Sequence, residues 1–265
     1  MTMQNTLGTA LITGASSGIG AVYADRLARR GYDLILVARD QQNLDAVAAK
    51  LSSDTGRRVS TIKADLTQLA DLRAVEQRLR EDSGITLLVN NAGLGATKSL
   101  IDSTPEELDA LVMINIQALT RLTRAVMPGL AQRGRGAIIN IASMVALSPE
   151  VLNGVYSASK SYVVTLTQSM HHELQDKGVQ VQAVLPGAIA TPFWNRAGLP
   201  IEHLPESIVM TAEDLVDAAM AGFDQGELIT IPSLPDVAEW HAFNDARLAM
   251  GPKLSLSKPA ARYTK

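Results

Sequence analysis

The chain has 265 residues, 46% of them hydrophobic, which is enough for one large α/β domain with a substantial core. Its 24 basic and 27 acidic side chains leave a net charge of −3, which argues against a nucleic-acid partner because such proteins bind through a basic surface. The sequence has no cysteine and its four histidines lack the HExxH spacing, so we predict no disulfide, no thiol nucleophile and no metal site.

Short apolar runs alternate with longer amphipathic stretches along the whole chain. Strands are predicted at 10–12, 33–38, 59–63, 86–90, 137–141, 179–185 and 228–231. Helices are predicted from a glycine-rich turn to about residue 30 and at 41–53, 68–82, 105–131, 155–175 and 212–223. Continuous apolar strands between helices are typical of parallel strands covered on both faces. The pattern predicts a single-domain, Rossmann-type, doubly wound α/β fold with a mostly parallel seven-stranded sheet.

Two segments depart from this alternation. Residues 188–210 contain three prolines and no clean period, so we expect a long ordered loop that acts as a substrate lid. Residues 232–265 form a C-terminal extension with four prolines around a short helix at 236–249. The N-terminal stretch MTMQNTLG lacks the pattern of a signal peptide, and no apolar run is long enough for a membrane span. We therefore expect a cytoplasmic protein without membrane contact.

The first predicted strand leads directly into a glycine-rich turn, TGASSGIG at 13–20, and then into a helix. A helix N-terminus in this position offers free backbone N–H groups to a phosphate, and glycine lets the backbone approach the pyrophosphate of a dinucleotide. The spacing is G-x-x-x-G-x-G rather than the common G-x-G-x-x-G. The turn predicts cofactor contacts from Gly14, Ser16, Ser17, Gly18, Ile19 and Gly20.

The end of the second strand bears on which nucleotide binds. An acidic residue here would hydrogen-bond the ribose hydroxyl of NAD, whereas an arginine can pair with the 2′-phosphate of NADP. The strand ends with Ala38 and Arg39, which favours NADP(H) and leaves NAD(H) possible. The alternative is a solvated Arg39 with Asp40 facing the ribose.

Tyr156 and Lys160 lie four residues apart at the start of a predicted helix and so share one face. A tyrosine needs a lowered pKa to act as a general acid or base near neutral pH, and a nearby cation favours the phenolate. Ser143 follows the fifth strand, at the sheet edge where ligands bind in open α/β folds. Asn115 lies on the apolar stripe of the long helix, so it is either a satisfied structural amide or part of a polar network.

Together these signals resemble the classical short-chain dehydrogenases/reductases, over residues 9 to about 192. The resemblance rests on the motifs TGASSGIG (13–20), Asp65-Leu66, NNAG (90–93), Asn115, Ser143, YSASK (156–160) and PGAIATP (186–192), in the family's order and spacing. It implies that Tyr156 exchanges the proton with the substrate oxygen and that Lys160 lowers the pKa of this tyrosine and holds the nicotinamide ribose. It also implies that Ser143 hydrogen-bonds the carbonyl and that Asn115 supports a water-linked proton relay.

The resemblance implies further cofactor contacts. Asp65 would meet the adenine, Asn91 would line the adenosine-ribose region, and Thr191 with the Ile189 backbone would fix the carboxamide. Leu66, Ala92, Gly93, Pro186 and Gly187 complete the expected cofactor contacts. The resemblance also implies a homodimer or homotetramer built on the two long helices.

The function predicted from the sequence is NADP(H)-dependent reduction of a ketone or aldehyde, or oxidation of the matching secondary alcohol, on a mainly apolar small molecule. The alternatives are an NAD-dependent alcohol dehydrogenase on the same scaffold and a cofactor-sensing regulatory protein. Phe193 and Trp194 are adjacent in the lid segment 188–210 and could either cap a hydrophobic substrate or anchor the lid to the core.

Overall fold

The computed structural model describes residues 7–264. Residues 1–6 and residue 265 lie outside the described part of the chain. The N-terminal stretch in which the sequence predicts no targeting segment therefore falls mostly outside the described residues. The chain divides into two compact units, Met1–Pro232 and Ser233–Lys265. Over residues 7–264, no helix combines the length and the apolar character required to cross a membrane.

A seven-stranded parallel sheet forms the centre of the first unit. The strands of the chain are β1 (Thr9–Thr13), β2 (Asp33–Ala38), β3 (Val59–Lys63), β4 (Ile85–Asn90), β5 (Gly136–Ile141), β6 (Val179–Val184), β7 (Ala188–Ile189), β8 (Val209–Met210) and β9 (Ile229–Thr230). The order in the sheet is β3-β2-β1-β4-β5-β6-β9, and every neighbouring pair is parallel. The predicted doubly wound α/β fold is confirmed.

Helices cover both faces of this sheet. They are α1 (Gly18–Arg30), α2 (Gln41–Thr55), α3 (Leu69–Glu81), α4 (Pro105–Val112), α5 (Leu119–Arg133), α6 (Gly154–Leu174), α7 (Phe193–Ala197) and α8 (Ala212–Asp224), with α9 (Val237–Met250) in the second unit. One apolar core, which includes Leu27 and Leu215, joins α1, α2 and α8 to the sheet. A second core, which includes Leu72 and Leu122, joins α3, α5 and α6 to the other face. Every residue of β2 and β4 is buried, and burial on both faces explains why these strands are apolar apart from Asp33, Thr86 and Asn90.

The long helix predicted at 105–131 is interrupted. The structure has a π-helical turn at Met113–Ala118 between α4 and α5, and α5 continues to Arg133. Single π turns inside α-helices are frequent at functional sites. The apolar stripe alone predicts an uninterrupted helix, because periodicity carries no information about the hydrogen bonds that the side chain of Asn115 makes to Leu94 and Ser159, outside this turn.

The lid segment is more structured than the expected loop. It contains the short helix α7, and its two ends, β7 and β8, pair with each other in parallel outside the main sheet. The helix predicted at 236–249 is present as α9.

Candidate active site

The glycine-rich turn is closed tightly between β1 and α1. Gly14 has φ +67° and Gly18 has φ +53°, in the left-handed region that favours glycine. A Cβ atom on Gly20 would lie 2.3 Å from the carbonyl oxygen of Gly14, so the start of α1 can approach the turn only with glycine at this position. Ser17 is the N-cap residue of α1, and its side chain makes no capping hydrogen bond. The first N–H groups of α1 therefore have no side-chain cap.

Asn91, which follows β4, holds this turn in place. Its Nδ2 donates hydrogen bonds to the carbonyl oxygens of Thr13 at 2.9 Å and Gly14 at 3.2 Å. Thr13 Oγ1 in turn accepts from the backbone N–H groups of Asn91 and Ala92, both at 3.0 Å. The side-chain nitrogen of Asn91 is thus engaged in supporting the glycine-rich turn.

A cavity of about 550 Å³ lies along the carboxyl ends of β1, β2 and β4. Its lining includes seven of the predicted cofactor residues: Gly14, Ser16, Ser17, Arg39, Leu66, Ala92 and Gly93. The lining also includes residues that the sequence did not single out for the cofactor, among them Ile114 in the π turn and Arg196 in the lid. The position matches the expectation that ligands of doubly wound sheets bind at the carboxyl ends of the strands.

Asp40 and Arg39 have different roles at the end of β2. The carboxylate of Asp40 caps α2, accepting from the backbone N–H of Asn43 at 3.0 Å and from Asn43 Nδ2 at 2.7 Å. Over residues 7–264, the guanidinium of Arg39 forms no ion pair. A cation without a counter-ion beside a cavity is suited to an anionic group of a ligand.

Asp65 lies half-buried after β3, in a tight turn. Its Oδ1 accepts from the backbone N–H of Thr67 at 3.0 Å and from Thr67 Oγ1 at 2.8 Å. Asp71 holds the same turn from α3, because its Oδ2 accepts from the backbone N–H of Asp65 at 2.8 Å. The turn presents Leu66 to the cavity.

Tyr156 and Lys160 lie on the first turns of α6, as the sequence predicts. Asn153 caps this helix, accepting from the backbone N–H groups of Val155 at 2.9 Å and Tyr156 at 3.2 Å. Both functional side chains are buried, and Lys160 Nζ lies 5.8 Å from the centre of the Tyr156 ring. Lys160 Nζ donates a 2.9 Å hydrogen bond to the carbonyl oxygen of Ile141, which anchors it to the end of β5.

Burial controls the protonation of this pair. It raises the pKa of Tyr156 to about 12, a rise that a hydrogen bond with the Ser143 side chain partly opposes. It lowers the pKa of Lys160 to about 8, because a buried ammonium has lost its hydration. The sequence predicts a lowered tyrosine pKa. The structure differs, because burial is the dominant influence on this pKa, and the hydrogen bond of Lys160 Nζ goes to the carbonyl oxygen of Ile141.

Asn115 and Ser143 join the same cluster from two other elements. Asn115 lies in the π turn, where its amide accepts from Leu94 N at 2.9 Å and donates to Leu94 O at 2.9 Å and to Ser159 Oγ at 3.0 Å. A Cβ atom on Gly93 would lie 3.1 Å from Asn115 Oδ1 and 3.7 Å from Lys160 Nζ, so both residues approach the chain at this glycine. The structure therefore brings together all four residues for which the sequence predicts catalytic roles.

Comparisons with known proteins agree with this arrangement. Residues 8–199 match the family model for short chain dehydrogenases. The chain belongs to the short-chain dehydrogenase family. A curated relative, the very-long-chain 3-oxoacyl-CoA reductase of Anas platyrhynchos, is 36% identical over 186 residues, which are 69% of this chain and 60% of the reductase. The chain therefore spans less than two thirds of that relative's length.

Two solved structures are similar over nearly the whole chain. A short-chain dehydrogenase from Sphingobium yanoikuyae, in complex with NADPH, is 49% identical in sequence and has a TM-score of 0.94. The match extends over 97% of this chain and 100% of that dehydrogenase. The bulky-bulky ketone specific alcohol dehydrogenase from Comamonas testosteroni is 44% identical with a TM-score of 0.91, over 98% of this chain and 100% of its own. The protein is therefore an oxidoreductase of the short-chain dehydrogenase family.

In this short-chain dehydrogenase, the segment after β6 connects the catalytic cluster to the glycine-rich turn. The carbonyl oxygen of Pro186, which precedes Gly187, accepts from Met144 N at 2.9 Å and Ser143 Oγ at 3.4 Å. Thr191 packs over the turn, since a Cβ on Gly18 would lie 3.0 Å from Thr191 Cγ2. Thr191, which the sequence predicts to bind the carboxamide, thus lies directly beside the glycine-rich turn.

The two adjacent lid aromatics have separate roles. Trp194 is buried and its Nε1 donates to the carbonyl oxygen of Ile189 at 2.9 Å, so it fixes α7 to β7 at the start of the lid segment. The ring centre of Phe193 lies 6.2 Å from that of Tyr156, at the catalytic cluster. Thr97 Oγ1 ties the other end of α7 to the loop after β4 by donating to Ala197 O at 2.6 Å. The capping of a hydrophobic substrate by Phe193 stays a prediction.

Proposed function

We propose that this protein is an NADP(H)-dependent oxidoreductase that reduces a ketone or aldehyde, or oxidises the matching secondary alcohol, with Tyr156 as general acid/base. The observation that carries the proposal is a chain of contacts at one edge of the cavity. The Ser143 side chain hydrogen-bonds Tyr156, Lys160 Nζ lies 5.8 Å from the centre of the Tyr156 ring, and Lys160 also approaches Gly93, which lines the cavity. A proton donor and a dinucleotide-binding turn are the two parts that carbonyl reduction requires of the protein.

The cavity has the features that a dinucleotide requires. Glycines at positions 14 and 20 let the turn close against Asn91 and the start of α1. Ser16 and Ser17 at the N-terminus of α1 line the cavity, and Ser17 makes no capping hydrogen bond there. Arg39 is the candidate for the 2′-phosphate of NADP(H), because it lines the cavity without a counter-ion, whereas the Asp40 carboxylate is engaged in capping α2. The NADPH complex of the Sphingobium yanoikuyae relative supports the same choice.

The proposed mechanism assigns one task to each residue of the cluster. When bound, the cofactor supplies the hydride for the carbonyl carbon. Tyr156, protonated at neutral pH, donates its phenolic proton to the carbonyl oxygen, and Ser143 Oγ hydrogen-bonds the same oxygen. Lys160 holds the nicotinamide ribose and places a positive charge beside the tyrosine. Asn115 fixes the Gly93–Leu94 backbone through its two hydrogen bonds to Leu94 and supports the proton relay.

The remaining predicted contacts are proposed for the two ends of the cofactor. Asp65 and Leu66 are proposed to bind the adenine, with Asn91 behind the adenosine ribose. The Ile189 backbone and Thr191 are proposed to bind the carboxamide, because Thr191 lies beside Gly18.

A mainly apolar ketone is the proposed substrate class. Tyr156 is part of an apolar cluster with Leu111 and Val145, against which Leu94, Leu152 and Phe193 pack. Such a wall binds hydrocarbon surface and offers few partners for a polar substrate. The similarity to the bulky-bulky ketone specific alcohol dehydrogenase from Comamonas testosteroni supports this class. We also propose a homodimer or homotetramer on the long helices, which light scattering of the purified protein tests.

The test follows oxidation of NADPH and NADH in parallel across aliphatic, aromatic and bicyclic ketones and aldehydes. We expect turnover with NADPH on the apolar ketones, and a loss of about 10²-fold or more in Tyr156→Phe, because the phenylalanine cannot donate a proton. The variant should still bind NADPH with unchanged affinity. Equal turnover in the wild type and Tyr156→Phe would contradict the assigned role, and a preference for NADH would contradict the cofactor assignment.

A further inference from the structure

The lid carries an arginine that reaches the glycine-rich turn. Arg196 lies on α7, and its Nη2 donates a hydrogen bond to Ser17 Oγ at 3.3 Å. Both residues line the same cavity, although 179 positions separate them in the sequence. The Arg196 side chain thus spans the cleft from the lid to Ser17, the N-cap residue of α1.

The surroundings of Arg196 favour an anionic ligand. Over residues 7–264, neither Arg196 nor Arg39 forms an ion pair, and both line the cavity. The acidic residue of this lining is Asp40, whose carboxylate caps α2 through Asn43. The hydroxyl that Arg196 contacts belongs to the N-cap residue of α1, a 13-residue helix whose N-terminal N–H groups carry partial positive charge.

The positions of Arg39 and Arg196 match the two anionic groups of NADP(H), the 2′-phosphate and the pyrophosphate. Arg39 lies at the end of β2, where the adenosine ribose of a dinucleotide binds, whereas Arg196 lies at the N-terminus of α1, where the pyrophosphate binds. A guanidinium can form two parallel hydrogen bonds to phosphate oxygens, which makes it a strong phosphate ligand. When a dinucleotide binds, the Arg196 side chain would release Ser17 Oγ and donate two hydrogen bonds to the pyrophosphate oxygens.

We propose that Arg196 binds the pyrophosphate of the cofactor and that this contact holds α7 closed over the substrate site. The proposal rests on the proposed function, because it requires a dinucleotide in the cavity. Phe193 and Arg196 are three residues apart on α7 and therefore share a face, so one short helix contacts the phosphate turn with Arg196 and approaches the Tyr156 ring with Phe193. Cofactor binding thereby positions one wall of the substrate pocket.

The experiment measures dissociation constants of NADPH and NADH for the full-length protein and for Arg196→Ala, Arg196→Lys and Arg39→Ala, by fluorescence titration. Because both cofactors contain the pyrophosphate, we expect Arg196→Ala to weaken both by the same factor, roughly ten-fold or more. Arg196→Lys should recover part of this loss, since it keeps the charge but not the paired donors. Arg39→Ala should weaken NADPH selectively.

Asn195→Ala is the matched control, because Asn195 is an exposed polar residue on the same helix. It should leave both constants unchanged, and circular dichroism should show that all variants are folded. A second readout is the KM for the ketone at saturating NADPH, which should rise in Arg196→Ala because Phe193 is no longer held beside Tyr156.

Three results would overturn the inference. Unchanged affinity for both cofactors in Arg196→Ala would exclude a phosphate contact, and weakening of NADPH alone would assign Arg196 to the 2′-phosphate instead. An unchanged KM for the ketone in Arg196→Ala would exclude the second part of the proposal, that the Arg196 contact holds α7 closed over the substrate site. Failure of the proposed function is distinguishable from all three, because in that case the wild-type protein itself would bind neither NADPH nor NADH.

Discussion

At the scale of single residues, burial shifts the pKa values of Tyr156 and Lys160. Tyr156 is 5% exposed and Lys160 is 7% exposed, and loss of hydration favours the neutral form of each. The tyrosine pKa rises to about 12, while the lysine pKa falls to about 8. Lys160 is therefore the group of this pair whose charge changes near neutral pH.

The first prediction concerns the pH dependence of the reaction. Lys160 is charged below its pKa and neutral above it, so kcat/KM for NADPH should fall as the pH rises through about 8. Lys160→Arg should move this fall to higher pH because a guanidinium stays charged, and Lys160→Met should show low activity without this step. The control is Lys177→Met at an exposed position, whose profile should match the wild type. A fall at the same pH in Lys160→Arg would show that another group titrates.

At the scale of elements, a carboxylate joins α3 to α5 on one face of the sheet. Glu76 is 6% exposed and accepts from Arg121 Nε and, at 3.0 Å, from Arg121 Nη2, while Arg80 lies at 3.5 Å. The guanidinium of Arg121 holds the pKa of Glu76 below its ordinary value. Because Arg121 is itself 30% exposed, solvent screens part of this interaction.

The second prediction is that Glu76→Gln lowers the free energy of unfolding by about 2 kcal/mol at pH 7, because hydrogen bonds to a charged group are lost. The pKa of Glu76 is lowered by folding, so its contribution is complete above the unfolded-state pKa and is lost as the pH falls through the folded-state pKa. The difference between variant and wild type should therefore shrink in acid. Denaturant unfolding at pH 7 and pH 3 measures it, with Glu81→Gln on the same helix as control. A difference that does not change with pH would contradict the ion pair as its cause.

At the scale of the whole molecule, the cofactor cavity is assembled from segments distributed over most of the first unit. Its lining comes from the glycine-rich turn, the end of β2, the segments after β3 and β4, the π turn and the lid. A ligand in this cavity contacts segments that separate on unfolding. Binding to the folded state alone stabilises a protein by mass action.

The third prediction is that NADPH at 100 times its Kd raises the free energy of unfolding by about 2.7 kcal/mol, which corresponds to a rise in Tm of roughly 5–10 °C. Arg39→Ala should reduce the rise with NADPH and leave the rise with NADH at equal concentration unchanged. Differential scanning fluorimetry with both cofactors measures this. If the variant lost the rise with NADH as well, Arg39 would not be specific for the 2′-phosphate.

Much of this structure can be predicted from local sequence patterns. Several strands of the main sheet, such as β2 and β4, are largely apolar runs. Tyr156 and Lys160 lie at a helix start and Ser143 lies just after a strand end, which puts them at the carboxyl edge of the sheet. The glycines at 14, 18 and 20 mark the turn because no other residue fits there. The hydrophobic period and the positions of strand ends are properties of neighbouring residues, so the sequence alone determined the fold class, the edge that carries the site and the candidate catalytic residues.

Only the tertiary structure decided which partner each polar group takes. Asn115, in a π turn, bonds to Leu94, and Arg196 reaches Ser17 across 179 residues of sequence. Likewise, the raised pKa of Tyr156 results from its burial, and Lys160 Nζ bonds to the carbonyl oxygen of Ile141. These outcomes depend on distances between segments far apart in the chain, and local periodicity carries no information about such distances.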